Sequence, residues 1–213
     1  MSAIRTLVRD HLRRGDLAAV RALAGREPAL VRALVSLLYD PDPLLRWRAV
    51  SAIGELAAAA PERARPLVTR LLWTLNDESG GIGWTSAPAL GEIGRNAPAL
   101  LRDGVRVVVH YLEDPTLLPG VLWAIGRLAP AFPGETREVV PELTGLLGSR
   151  EPAVRAHAAR ALGMIGDRSA AGGLARLEGD AAGATLYADG ELVTRDVQDW
   201  AREALGKLGP DPA

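Results

Sequence analysis

The chain has 213 residues, 48% of them hydrophobic and 24% charged, a composition typical of a globular protein that can bury a continuous core. It contains no cysteine, which excludes disulfides, thiolate metal sites and thiol nucleophiles. The formal net charge of −1 disfavours a protein built mainly to hold nucleic acid. No apolar run approaches the roughly 20 residues that span a bilayer, and the first residues are charged throughout, so we expect a cytoplasmic protein.

The charges are unevenly distributed along the chain. Residues 1–70 contain 12 arginines against 7 acidic residues, whereas the remainder contains 13 basic and 19 acidic residues. Residues 1–70 therefore carry a net positive charge, and the remainder carries a net negative charge. This difference fits either a partner selected by charge or solvated faces that simply differ.

Residues 1–39 are predicted to form an N-terminal helical cap. Apolar residues at helical spacing predict a first helix that stops near Gly15, and Asp16 is placed to cap the next one. The arginine-rich polar faces of these helices fit the polar outer surface that a terminal repeat must offer.

A five-residue pattern organises the rest of the chain. It begins as Ala52-Ile53-Gly54-Glu55-Leu56, and after spacings of 37, 35, 37 and 43 residues it returns at Ala89, Ala124, Ala161 and Ala204. Near-fixed spacing is typical of stacked repeats, and small or apolar residues three positions before each alanine complete a helical stripe. Glycine in a helix costs about 0.5–1 kcal/mol relative to alanine. Its return in every copy therefore predicts a neighbouring helix that passes too close for a side chain.

Residues 42–54 and 151–163 carry a resemblance to a known family. Both segments place a proline second, an arginine fifth, an alanine eleventh and a glycine thirteenth. They resemble the HEAT repeat, in particular the short phycobilin-lyase-type HEAT-like repeats. The resemblance covers residues 40–209 or so, and we assign HEAT-like repeats to residues 40–179. It implies an all-α, right-handed α-solenoid in which the second helix of each unit lines a concave binding face.

The second repeat departs from this pattern. Its expected helix start, residues 76–84, contains three glycines within four residues, which is unfavourable in a helix. Three interpretations stay open. The helix begins late, near Trp84, after an irregular cap; the backbone closely approaches a protein partner; or the turn cradles an anion, which Asp77 and Glu78 disfavour.

The glycine segment and the polar or aromatic residues of the predicted second helices form the candidate site. Tryptophan and arginine are enriched at interface hot spots. We expect a surface that is basic and aromatic and becomes acidic toward the C-terminus. The candidate partner-binding residues are Arg65, Arg70, Trp73, Glu78, Gly80, Gly81, Gly83, Trp84, Arg102, Arg106 and His110.

Residues 180–213 are predicted to form a β-hairpin and a C-terminal capping helix. Asp189-Gly190 suits the left-handed turn of a two-residue hairpin between Thr185–Ala188 and Glu191–Thr194. We expect this hairpin to lie as a lid over the last units, and we expect Trp200, on an apolar stripe of the last helix, in the core.

The search for catalytic residues finds no motif. The three histidines have no partner at metal-ligand spacing, and the chain has neither a nucleophile elbow nor a Walker sequence. We therefore interpret the chain as a non-catalytic scaffold, without a cofactor, that binds a partner protein. The resemblance implies an alternative, a bilin-lyase-like or chaperone-type factor acting on a bound cofactor or protein. A nucleic-acid-binding HEAT-like protein is a third interpretation, based on the arginines.

Overall fold

A computed structural model describes residues 3–75 and 83–208. These residues form α-helices that stack as antiparallel pairs in two layers, followed by one antiparallel pair of strands. The first layer contains α2 (Leu17–Leu23), α4 (Pro43–Ala59), α6 (Gly83–Asn96), α8 (Leu118–Leu128), α11 (Pro152–Ile165) and α13 (Val197–Lys207). The second layer contains α1 (Ala3–Arg13), α3 (Leu30–Leu37), α5 (Pro61–Leu75), α7 (Val105–His110), α9 (Pro133–Glu138), α10 (Val140–Leu146) and α12 (Ala171–Ala175). The predicted all-α solenoid is confirmed, and none of the described helices has the length and apolarity needed to cross a membrane.

The helix boundaries follow local signals in the sequence. The side chain of Asp16 accepts a hydrogen bond from the Ala19 amide at 3.0 Å, after Gly15 has ended α1 with a φ of 71°. The side chain of Asp42 accepts from the amide of Leu44 at 2.9 Å and caps α4. The predicted cap at Asp16 is confirmed. Helix α6 is described from Gly83 onward, and residues 76–82, on which the prediction of a late helix start falls, lie outside the described ranges.

The arginine shared by the two HEAT-like segments fixes the turn that precedes its helix. Arg46 donates to the carbonyl of Asp40 at 2.7 Å, and Arg155 donates to the carbonyl of Ser149 at 2.8 Å. Each arginine therefore satisfies a carbonyl six residues upstream. Arg155 also forms an ion pair with Asp180, which anchors the start of the C-terminal segment.

The core lies between the two layers and runs without interruption from Val8 to Leu208. Leucine, valine, isoleucine and alanine fill it, as the helical stripes predict. Trp200 is 1% exposed, so its predicted place in the core is confirmed.

The repeat glycines mark the places where first helices touch. A β-carbon on Gly91 would lie 2.8 Å from the Cα of Ala124, and one on Gly163 would lie 2.6 Å from the Cα of Ala204. These distances are too short for any side chain, so the predicted close approach is confirmed at both junctions. Gly126 has ordinary contacts, and Gly206 on α13 has no neighbour within 4 Å.

The first helices form the more closely packed layer. Trp47 on α4 and Trp123 on α8 have ring centroids only 5.0 Å apart, although α6 lies between their helices. These two indoles meet over α6, on the face of the first-helix layer that points away from the core. The expectation that the second helices line the inner face stays a prediction.

The C-terminal segment forms the predicted hairpin. Strand β1 (Gly183–Ala188) pairs with β2 (Glu191–Asp196), and Leu186 lies opposite Val193. Asp189 and Gly190 have φ values of 51° and 85°, as a two-residue turn with left-handed residues requires.

The hairpin packs on α11 and α13, so the expected lid over the last units is confirmed. It also extends further than expected, because its turn reaches α4, near the start of the chain. Tyr187 stacks on Trp47 with a centroid distance of 5.2 Å and an angle of 11° between the rings.

We predict that Gly163→Ala destabilises the protein, because the new methyl group would overlap the backbone of α13. The matched control is Gly206→Ala, at the equivalent repeat position with no neighbouring atoms. Overpacking lowers the free energy of unfolding by about 1–3 kcal/mol, whereas alanine at an open helical site raises it by about 0.4–1 kcal/mol. Chemical denaturation of both variants measures the difference. Equal effects would contradict the close approach.

Candidate functional site

The sequence-predicted residues of the second helices lie at the surface. Their side chains are exposed, and Trp73 stands out because 72% of its surface is accessible. Trp73 follows Arg70 by one helical turn, so the two share a face of α5. The exposed second-layer residues from the predicted set are Arg65, Arg70, Trp73, Arg102, Arg106 and His110.

Two of these arginines are already engaged in ion pairs. Arg106 on α7 makes a bidentate pair with Glu138 on α9, with nitrogen–oxygen distances of 3.0 and 3.1 Å. Arg65 pairs with Glu62 one turn earlier on α5. These neighbours raise the pKa of each guanidinium through hydrogen bonding and charge. The negative charge of each glutamate also offsets the positive charge of its arginine, so either arginine attracts an acidic partner less strongly.

The remaining candidate partner-binding residues belong to the glycine segment. Glu78, Gly80 and Gly81 lie outside the described residues. Gly83 and Trp84 are the first two residues of α6, where only the backbone is described. Their predicted role in partner binding stays a prediction.

A groove that the sequence did not suggest adjoins Arg70. It lies between α1, α3 and α5, and Tyr39 at its edge is 52% exposed. Among the described residues, no carboxylate oxygen lies within 4 Å of the guanidinium of Arg32 or Arg70. We call this groove, together with Trp73, the Tyr39–Trp73 surface; it comprises Arg5, Arg32, Val35, Ser36, Tyr39, Arg70 and Trp73.

A second concave region lies on the opposite layer, beneath the hairpin turn. Its volume is about 180 Å³, and it opens between the turn and the first helices. We call it the hairpin cleft; its lining residues are Ser51, Glu92, Trp123, Arg127, Arg160, Tyr187, Ala188, Asp189 and Gly190.

Aromatic rings hold the hairpin above this cleft. Tyr187 stacks on Trp47, and the indole of Trp123 donates to the carbonyl of Tyr187 at 3.2 Å. The hydroxyls of Tyr187 and Ser51 lie 3.1 Å apart, in hydrogen-bonding distance. Burial raises the pKa of Tyr187, so this phenol stays protonated near neutral pH.

Arg48 fastens the hairpin turn to the N-terminal helix. Its side chain is buried; Nε donates to the carbonyl of Gly190 at 2.9 Å, and Nη1 donates to the carbonyls of Leu12 and Arg13 at 2.9 and 2.8 Å. Nη2 pairs with Glu191. One guanidinium therefore joins the end of α1, helix α4 and the hairpin, which is why the two ends of the chain meet.

Two charged groups of the hairpin cleft, Glu92 and Arg160, are partly or fully removed from water. Glu92 is buried and pairs with Arg127 at 2.9 Å; burial raises the pKa of Glu92, while Arg127 opposes the rise. Burial also lowers the pKa of Arg160. Behind the cleft, burial lowers the pKa of His157 to about 3, and Arg160 adds to the effect. The imidazole of His157 is therefore neutral at physiological pH.

Sequence reasoning missed this cleft, although the repeats contain a signal for it. Its first-helix residues occupy two repeat positions, one before and three after the repeat alanine, which are four residues apart and share a helix face. The residues at these positions differ between repeats: Ser51, Trp123 and Arg160 at the first, Glu92 and Arg127 at the second. Such variability on one face is typical of a surface and not of a packed interior.

Within residues 3–75 and 83–208, no group of three or more histidine, cysteine or acidic side chains gathers in a way that could hold a metal ion. The hairpin cleft supplies guanidinium and hydroxyl groups instead. Its chemistry suits an oxyanion.

The family model for HEAT repeats matches residues 31–115 and 109–186. Because the matches cover more than half of the sequence, the chain belongs to the family of HEAT repeats. The resemblance to the HEAT repeat is thus confirmed, whereas its phycobilin-lyase-type subdivision stays a prediction. None of the curated proteins compared with this chain matches it.

Solved structures support the fold. An engineered protein aligns with 91% of this chain and 90% of its own at 23% identity and a TM-score of 0.52. A computationally designed armadillo repeat protein for modular peptide recognition aligns with 92% of this chain and 93% of its own, at 20% identity and a TM-score of 0.50. A HEAT-like repeats protein from the archaeon Thermococcus onnurineus NA1 aligns with 98% of this chain and 80% of its own, at 17% identity and a TM-score of 0.43. At these identities the likeness shows the fold alone.

We predict that Arg48→Met lowers the free energy of unfolding by about 2–5 kcal/mol, because buried carbonyls lose their donor and Glu191 loses its partner. The control is Arg21→Met, which removes an exposed ion pair with Glu55 and should cost less than about 1 kcal/mol. Chemical denaturation compares the two. Similar small losses in both would show that Arg48 does not fasten the hairpin.

We also predict a pH-dependent contribution from His157. Its folded pKa of about 3 lies below the ordinary 6.5, so between these values only the unfolded state binds the proton. The free energy of unfolding should therefore fall as the pH drops through this window, by up to about 1.4 kcal/mol per pH unit. Urea denaturation of wild type, His157→Gln and the exposed control His110→Gln measures it. Only His157→Gln should flatten the pH profile; an unchanged profile would contradict a buried neutral imidazole.

Proposed function

We propose that this protein is a non-catalytic scaffold that binds a partner protein through the Tyr39–Trp73 surface, and that the partner presents an acidic segment with an apolar anchor. HEAT and armadillo repeat scaffolds commonly mediate protein binding, and repeat solenoids use their long faces for it. The observation that carries the proposal is the 72% exposure of Trp73 beside Arg70.

The exposure of the aromatic residues supports a contact surface. A largely exposed tryptophan side chain leaves a large apolar area in water, and Tyr39 adds a second ring at the edge of the groove. Tryptophan, tyrosine and arginine are the residues that dominate binding energy at interfaces. All three lie together on this surface.

The charge of the surface supports an acidic partner. The lining of the groove contains three arginines and no acidic residue. Arg32 and Arg70 have no carboxylate partner among the described residues, so their guanidiniums can pair with acidic side chains of another chain. Charge complementarity of this kind speeds association and suppresses wrong partners.

We retain the division of the chain into an N-terminal cap (1–39), HEAT-like repeats (40–179) and a C-terminal hairpin with its capping helix (180–213). Asp42 caps the first helix of the repeats, and the Asp180 ion pair marks the start of the last segment. Because the groove includes α1 and α3, the cap and the first repeat together would form the binding surface.

A random peptide library displayed on phage tests this proposal. We expect selection on wild type to enrich peptides that combine acidic residues with an aromatic or aliphatic anchor. Trp73→Ala and Arg70→Glu should each weaken a synthetic selected peptide about 10-fold or more, the effect of losing a hot-spot residue.

The matched control is Arg150→Glu, which makes the same charge change at an exposed position between α10 and α11. It should leave peptide affinity nearly unchanged. Equal affinity for wild type, Trp73→Ala and Arg70→Glu would disprove this surface. Duplex DNA binding that both substitutions abolish, and that weakens steeply with salt, would instead favour a nucleic-acid ligand.

A further inference from the structure

The hairpin cleft contains a guanidinium that makes no ion pair with a described carboxylate; Glu203 and Asp189 attract it only from a greater distance, and Glu203 is itself paired with Arg195 and Lys207. Arg160 on α11 is partly buried, and its Nη1 donates to the carbonyl of Tyr187. Its Nε is buried and has no hydrogen-bond partner. In the described part of the chain, no carboxylate oxygen approaches this guanidinium within the 4 Å of an ion pair. Trp200 contributes only a ring contact, 5.8 Å from guanidinium carbon to ring centroid.

The other charges of the cleft do not fill this role. Glu92 is occupied by Arg127, at 2.9 Å, and by the amide of Asn96, at 3.1 Å. Asp189 lies on the hairpin turn at the rim, where its side chain is exposed to water. A desolvated cation without a partner is unfavourable, whereas an anion bound beside it would recover the lost interaction.

The remaining walls define the shape and polarity of a ligand. Ser51 and Tyr187 share one hydrogen bond at 3.1 Å, so one of their two hydroxyl hydrogens remains for a ligand oxygen. The indole of Trp123 adds an apolar wall. The volume of about 180 Å³ is larger than a single water molecule needs. The space suits a small organic molecule.

We propose that the hairpin cleft binds a small monocarboxylate, with its carboxylate at Arg160 and the Ser51–Tyr187 hydroxyl pair and its apolar part against Trp123. A singly charged carboxylate fits better than phosphate, because Glu92 and Asp189 repel the second negative charge. This site lies on the first-helix side and is separate from the proposed protein-binding surface. A bound ligand of metabolite size would contact both the hairpin and the first helices.

Butyrate is a suitable probe, and butyramide is its uncharged control of the same shape. Isothermal titration calorimetry should show butyrate binding to wild type and no binding of butyramide. Arg160→Gln should weaken butyrate about 10-fold or more, as expected for loss of a charge-assisted hydrogen bond. The exposed control Arg150→Gln should bind butyrate as wild type does. Inorganic phosphate, titrated in parallel, should bind more weakly than butyrate.

A measurement on the wild-type protein keeps the test decisive if Arg160→Gln folds poorly. In proton–nitrogen spectra, butyrate should shift the indole resonance of Trp123 and leave that of Trp73 unchanged. Absence of butyrate binding, equal binding of butyramide, or a wild-type affinity in folded Arg160→Gln would overturn the proposal. Preferential binding of phosphate would overturn the monocarboxylate assignment.

Discussion

Glycine is the only residue that fits where α6 meets α8 and where α11 meets α13, because the backbone of the next helix occupies the space of a β-carbon. This constraint sets the spacing of the first-helix layer. In the same layer Trp47 meets Trp123 across α6. The close packing of the first helices thus depends on the absence of a side chain at these positions, which costs helix propensity at each glycine.

The two layers carry different features. On the first-helix side a hairpin from the C-terminal segment reaches α4, and Arg48 joins both to the end of α1. In a repeat array each unit normally contacts only its neighbours. Here the hairpin adds a contact between the C-terminal segment and the first repeat. On the second-helix side the helices remain open to solvent, and Trp73 and Arg70 are accessible to another chain.

The sequence predicts local features of this fold well. The helix cap at Asp16 and the hairpin turn at Asp189 depend on a few adjacent residues, and the structure contains both. The repeat predicts close glycine contacts in every copy, but they occur at Gly91 and Gly163 and not at Gly126 or Gly206. The extension of the hairpin to α4 is not predicted, because no periodicity indicates a contact between distant repeats. The hairpin cleft is missed for the same reason, since its residues come together only where the hairpin covers the first helices.

The stacked pair of Trp47 and Tyr187 is the most direct test of this account, because it links the first repeat to the C-terminal hairpin. A double-mutant cycle with Trp47→Ala and Tyr187→Ala measures the coupling in the free energy of unfolding. If the hairpin closes over the first helices, the coupling should be about 0.5–1.5 kcal/mol. Strictly additive losses would contradict a hairpin that reaches α4.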